Sequence, residues 1–102
     1  MAAARFTWRP AKADANWKKH RVTFETAARV FLDPFALTEQ DRIEDGEQRW
    51  QTLGMVDGHL LLLVAHTVWE EDGHGEAIEV IHIISARKAE RRERRRYEEE
   101  RY

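Results

Sequence analysis

Apolar positions along the chain change their period once. Residues 5–8, "RFTW", alternate and suit a short edge strand. Pro10 then stands where a first helical residue is favoured, and the helix formers of "AKADANWKKH" predict a helix over about 10–19. The next stretch, "VTFETAARVFLDP", predicts a second helix. Thr23 is its N-cap candidate, Phe24, Ala28 and Phe31 share a face, and Asp33-Pro34 ends it. Beyond Pro34 the pattern becomes strand-like. "FALTEQD", "RWQTLGMV", "HLLLLVAHTV" and "AIEVIHIIS" are rich in β-branched and aromatic residues and are separated by turn signals. A last helix is expected to begin near Ser85, with that serine as its N-cap, and to run to the end. The order predicts one α+β domain, a mostly antiparallel four- to five-stranded sheet with two N-terminal helices and one C-terminal helix. There is no repeat and no flexible linker.

The turns let the sheet be aligned by counting. Asp57-Gly58 is a two-residue hairpin signature, because a type I′ turn needs positive φ at both central positions. With that turn, opposite residues sum to 115 and Arg49 lies across from His66. With the next loop centred near His74 they sum to 148, and His66 lies across from His82. Directly opposite residues share a face about 5 Å apart, so Arg49, His66 and His82 are expected in one row. Such a row suits phosphate binding or proton transfer, since histidine titrates near neutrality and arginine grips phosphate with two bonds. One bulge in the second loop moves His82 to the other face. The plainer alternative makes His66 and His82 hydrogen-bonded core residues among Val64, Val68, Val80 and Ile84.

Composition narrows the class. At 102 residues, 42% hydrophobic and 35% charged, the chain is expected to be one soluble globular domain. It has no cysteine, which excludes disulfides, thiolate metal sites and a thiol nucleophile. Its longest apolar run, "LLLLVA" at 60–65, is far too short to cross a bilayer, and "MAAARFTWRP" does not read as a signal peptide. A cytoplasmic protein with no membrane partner is expected. The net charge of −2 hides a division: residues 85–102 carry eight basic against five acidic side chains, and residues 1–84 nine against fourteen. A polyanion would be drawn to one end only. The acidic stretches "EQDRIEDGE" and "EEDGHGE" suit a basic partner surface, or are simply solvated loops.

No metal or cofactor motif is present. The five histidines, His20, His59, His66, His74 and His82, show no i, i+4 helical pair, there is no glycine-rich phosphate loop, and Ser85 is the only serine. The arginine-rich end "ARKAERRERRRYEEE" is the strongest chemical signal. Read as a helix from Ser85, it puts Arg87, Arg91 and Arg94 or Arg95 on one face. It also sets Arg87 and Lys88 in the first turn, where the dipole opposes cations by about 0.3–1 kcal/mol. Pairs one turn apart contribute only about 0.2–0.5 kcal/mol each and include like charges. Phosphate binding explains the cluster better than helix stability; a solvated surface helix is the alternative.

Trp8, Lys12, Asn16, Lys19 and His20 ("W…K…N…KH"), followed by "VTFETAARVFLDP", "EQRW", "LLLVAHT" and "IISARKAERRERRRYE", resemble the BrnT family of toxins from bacterial type II toxin–antitoxin modules. The resemblance spans nearly the whole chain. It implies a RelE-like fold and a small ribonuclease that cuts RNA without a metal, halts translation and is neutralised by an antitoxin of BrnA type. Such an antitoxin is a ribbon-helix-helix protein; a heterotetramer results, and DNA is reached only through the antitoxin. For such a nuclease the 2′-hydroxyl is the nucleophile, and a base, cations and an acid are required. The catalytic candidates are His20, His82, Arg49, Arg87 and Tyr97. The RNA-binding candidates are Lys19, Arg87, Lys88, Arg91, Arg94, Arg95 and Trp69. Four positions depart from the family pattern: Arg9 stands where an acidic helix cap is common, Arg21 where glycine is usual, and Trp69 and His82 where arginine is expected. The last two motivate a second reading, a catalytically impaired module that binds its antitoxin and supports repression. A direct DNA binder is disfavoured by the acidic body and the lack of a helix-turn-helix pattern.

Overall fold

A computed structural model describes residues 3–101. Strand β1 (Ala3–Thr7) leads into helix α1 (Pro10–His20) and the short helix α2 (Phe24–Ala28), which tightens into a 3-10 turn over Arg29–Leu32. Strands β2 (Leu37–Glu44), β3 (Glu47–Val56), β4 (Leu60–Gly73) and β5 (Glu76–Lys88) follow, and helix α3 (Arg91–Glu100) closes the chain. The sheet order is β1-β5-β4-β3-β2. Four strands form an antiparallel meander, and β1 alone joins in parallel, along β5.

Local chemistry accounts for most boundaries. Pro10 opens α1, whose lost N–H is one that a first turn leaves unpaired anyway. Thr23 caps α2 by accepting from the Thr26 N–H at 3.1 Å. The three hairpins turn on Asp45-Gly46, Asp57-Gly58 and His74-Gly75, and all six residues have positive φ. Only Asp57-Gly58 stands out in sequence, because Asp45-Gly46 lies inside an acidic stretch and His74 is a rare occupant of a left-handed position.

The sheet separates two cores. On one face Val56, Leu62, Val64, Ile81, Ile83 and Ala86 pack against Val22, Phe24, Ala27 and Val30. Gly54 belongs to this face: a Cβ there would come within 2.9 Å of the Val30 backbone oxygen, so the glycine lets the 3-10 turn sit directly on β3. Asn16 fixes α1 to β5, donating to the carbonyls of Val22 and Ala86 at 2.9 Å and accepting the Ala86 N–H at 3.0 Å. On the opposite face α3 lays Tyr97 onto Leu53 and Leu61.

Two expectations fail here. The last helix does not begin at Ser85. Strand β5 continues to Lys88, because its partner β4 is long enough to pair Arg87 with Leu63 and Lys88 with Leu62. Arg87 and Lys88 are therefore strand residues, and no helix dipole opposes them. The cap of α3 is Glu90, in a reciprocal box with Glu93. The row of Arg49, His66 and His82 does not form either. Pairing resumes at Val56 with Leu60, one residue beyond the Asp57-Gly58 turn, so opposite residues sum to 116 and Trp50 faces His66. The His74-Gly75 turn makes the next sum 149, and Thr67 faces His82. Parity thus sends His66 to the α1–α2 face and His82 to the α3 face.

Candidate active-site groove

On the α3 face, α3 covers the area around Leu53 and Leu61. Thr7 pairs with His82, His82 with Thr67, and continuing the β3–β4 register by one residue sets Arg49 beside Thr67. The two register errors therefore cancel at the ends of the expected row. Arg49 and His82 still share a face, with Thr67 between them in place of His66. They line one open groove of about 320 Å³, together with Arg9 and Lys12 from the start of α1 and with Asp45 and Glu47 from the β2–β3 hairpin.

Each member is held in a definite way. Thr7 Oγ1 lies 2.8 Å from His82 Nδ1, which leaves Nε2 as the imidazole nitrogen without a protein partner among the described residues. The Arg49 side chain is only 22% exposed and sits 3.6 Å from Glu44, and its Nε is buried with no hydrogen-bond partner among the described residues. A buried guanidinium N–H without an acceptor is costly, and an incoming oxyanion would satisfy it. Trp69, 40% exposed, stands on the same face with its ring centroid 6.2 Å from that of His82. The two departures from the expected arginines are thus neighbours.

The remaining candidates lie elsewhere. His20 and Lys19 end α1, about 12 Å along the helix from Lys12 at 1.5 Å per residue. Arg87 is held by Glu93 through two 2.8 Å bonds, and this pairing, against the opposing effect of burial, raises the arginine pKa. The same contact outweighs burial at Glu93 and lowers its pKa. Tyr97 is buried and donates to Asp33 Oδ2 at 2.6 Å. Burial first, and the Asp33 carboxylate second, push the phenol up to about 12. Burial works against the charge of Asp33, but Tyr97, the N–H groups of Met55 and Phe35, and Arg101 outweigh it and hold the carboxyl below its usual value. Arg91, Arg94 and Arg95 are exposed on α3, Lys88 is exposed at the end of β5, and none of the four forms an ion pair among the described residues. His66 is a core residue: Thr52 Oγ1 is 2.7 Å from its Nε2, and desolvation lowers its pKa to about 4.

Sequence reasoning missed Thr7, Thr67, Arg9 and Lys12. The signal for Thr7 and Arg9 was the parallel pairing of β1 with β5, which no local pattern carries. Among the described residues no cluster of three or more histidines, cysteines or acids is placed to hold a metal ion, and no helix is long and apolar enough to cross a membrane.

Comparisons with known proteins agree with this fold. The crystal structure of the ribonuclease toxin BrnT from Brucella abortus superposes with a TM-score of 0.57 at 19% identity, covering 88% of this chain and 100% of that one. No curated protein matches the chain. The family model for "Ribonuclease toxin, BrnT, of type II toxin-antitoxin system" matches residues 8–93. With most of its length matched by that model, and with the same fold, the chain belongs to the BrnT family of ribonuclease toxins of type II toxin–antitoxin systems.

Proposed function

We propose that the chain is the toxin of such a module and an endoribonuclease that works in the groove of Arg49 and His82 without a metal ion. The observation that carries this reading is the buried, unpartnered Arg49 Nε beside a histidine oriented by Thr7. In the proposed reaction His82 Nε2 removes the proton of an RNA 2′-hydroxyl. The 2′-oxygen bonds to the adjacent phosphorus, the P–O5′ bond breaks, and O5′ takes a proton from water. The products are a 2′,3′-cyclic phosphate and a free 5′-hydroxyl. Arg49, with Arg9 and Lys12, stabilises the charge that grows on the phosphoryl oxygens. Trp69 offers a face on which a neighbouring base stacks. Lys88, Arg91, Arg94 and Arg95 draw the RNA in, and Lys19 extends the basic path. Arg87 and Tyr97 act one step removed, by holding α3 in place. His20 lies outside the proton path.

The wider role proposed is a cytoplasmic one, in which RNA cleavage halts translation until a ribbon-helix-helix antitoxin of BrnA type binds. Together they would form a heterotetramer that meets DNA only through the antitoxin. A second reading is favoured by Trp69: a nuclease weakened by loss of a cation, whose remaining task is to bind its antitoxin. RNA incubated with the purified protein and EDTA is the test. Cyclic-phosphate ends are expected, with the rate falling about 100-fold or more in His82→Ala and in Arg49→Ala. Intact RNA together with no growth arrest on expression overturns the nuclease. Toxicity that appears only in the double variant Trp69→Arg/His82→Arg selects the second reading.

A further inference from the structure

Away from the groove, the sheet has an unfinished border. The ladder between β3 and β4 stops at Trp50 and His66, although β3 continues to Glu47 and stays paired there with β2. Strand β4 runs on to Gly73, bonded only to β5. From Val68 to Gly73 no strand is paired to its other side among the described residues, so every second residue presents a free N–H and C=O. Such a border is ordinarily blunted by lysine, proline or a covering loop. Here the charges are acidic, Glu70, Glu71 and Asp72, and they follow the exposed apolar side chains Val68 and Trp69.

Two further observations say what fits there. The border adjoins a cleft of about 480 Å³ on the α1–α2 face, lined by Phe31, Trp50, Val68 and Ile81, with His66 in its wall. At its rim Glu70 and Glu79 stand directly opposite each other on β4 and β5, and neither takes part in an ion pair among the described residues. Like charges in directly opposed positions destabilise a sheet. Asp72 and Glu76 continue the acidic character toward the hairpin tip, where the described ion pair is that of Arg5 with Glu71. An extended segment beside β4 would place alternate side chains toward the cleft. An apolar residue would fill it, and a lysine or arginine two positions away would stand beside Glu70, from where its long side chain reaches over toward Glu79.

We infer that the free border of β4 from Val68 to Gly73 receives an extended, basic segment of the antitoxin as an added strand, anchored in the Phe31–Trp50 cleft and by Glu70 and Glu79. This rests on the toxin–antitoxin reading, and it places the antitoxin on the face opposite the groove. The test uses the intact protein and the small protein encoded beside it, mixed after separate purification. Hydrogen exchange is followed at residues 67–73, and affinity is measured for the natural chain and for Glu70→Gln/Glu79→Gln. Slowed exchange at those amides is expected in the complex, with affinity reduced about tenfold or more in the variant at low salt and less so at high salt. RNA cleavage by the free variant, whose changes lie off the groove, reports that it is folded. A complex that leaves residues 67–73 unprotected and binds the variant equally well overturns the inference while the toxin–antitoxin reading stands. No complex at all overturns both. Protection that grows with concentration in the absence of the small protein assigns the border to a second copy of this chain and overturns the antitoxin assignment.

Discussion

Lowering the pH should unfold this protein chiefly through His66. Its imidazole is 1% exposed, with Nε2 against Thr52 Oγ1, which is itself 2.8 Å from Thr38 Oγ1, and with the ring edge on Phe31. Desolvation depresses its pKa from 6.5 to about 4, against a weak opposing bond to the Thr67 carbonyl. Between those values the unfolded chain holds a proton that the folded chain does not, so stability falls as pH falls. The contribution is complete above pH 6.5 and lost by about pH 4. At about 1.4 kcal/mol per pH unit, the loss amounts to about 3 kcal/mol, a large share of a small domain's 5–15 kcal/mol. The lowered carboxyls Asp33 and Glu93 lose their contributions only as the pH falls below 3.8 and 4.5, their ordinary values, so the window from 6.5 to about 4.5 belongs to histidine. Urea unfolding at several pH values, for the natural chain and for His66→Gln, isolates this residue, because every other side chain is common to both. The difference in stability between the two should shrink by about 3 kcal/mol from pH 7.5 to pH 4.5 or just below. Parallel curves would refute the assignment of His66 as a neutral core residue.

Arg21 and Tyr97 give two further tests. Arg21 ends α1 in a left-handed conformation, with φ 58° and ψ 34°, where an L side chain crowds the following carbonyl. Arg21→Gly should raise stability by about 0.5–1 kcal/mol, after allowing for the added freedom of the unfolded chain and the lost stacking on Trp17. A melting temperature that falls instead would show that the stacking outweighs the strain. Tyr97→Phe deletes a bond to a carboxylate and should cost about 1–3 kcal/mol in denaturant unfolding. If Tyr97 only positions α3, RNA cleavage per folded molecule stays unchanged; a rate loss beyond the unfolded fraction would place the phenol in the reaction.

Local signals were strong enough to read the elements whose boundaries rest on a strong local preference, of the backbone or of a capping side chain. Pro10, Thr23 and Asp57-Gly58 all act where the sequence puts them. What was not legible is the distance over which a strand persists. Strand β5 outlasts its apolar run by pairing with β4, so charged Arg87 and Lys88 become strand, and the helix they were expected to begin starts at Arg91. Register was also lost, by one residue in each hairpin, because His59 adds a position after its turn and His74 accepts a left-handed φ. Parity is unforgiving at this point: one residue decides whether a histidine meets water or core. His66 changed faces and His82 did not, since the two slips oppose each other across three strands. The resemblance in "W…K…N…KH" and "FLDP" has a physical content that spacing alone did not disclose. Asn16 stitches α1 to Ala86, and Asp33 gathers Tyr97, Met55 and Phe35 around one carboxylate.

The contact between Thr7 and His82 spans 75 residues, and the parallel pair that supports it joins the first strand to the last. Contacts so distant in sequence form late and slowly. A ribosome making this protein, at about 5–20 residues per second, must deliver all five strands before His82 gains the partner that orients it. The proposed groove of Arg49 and His82 is in consequence complete only once β5 has joined β1.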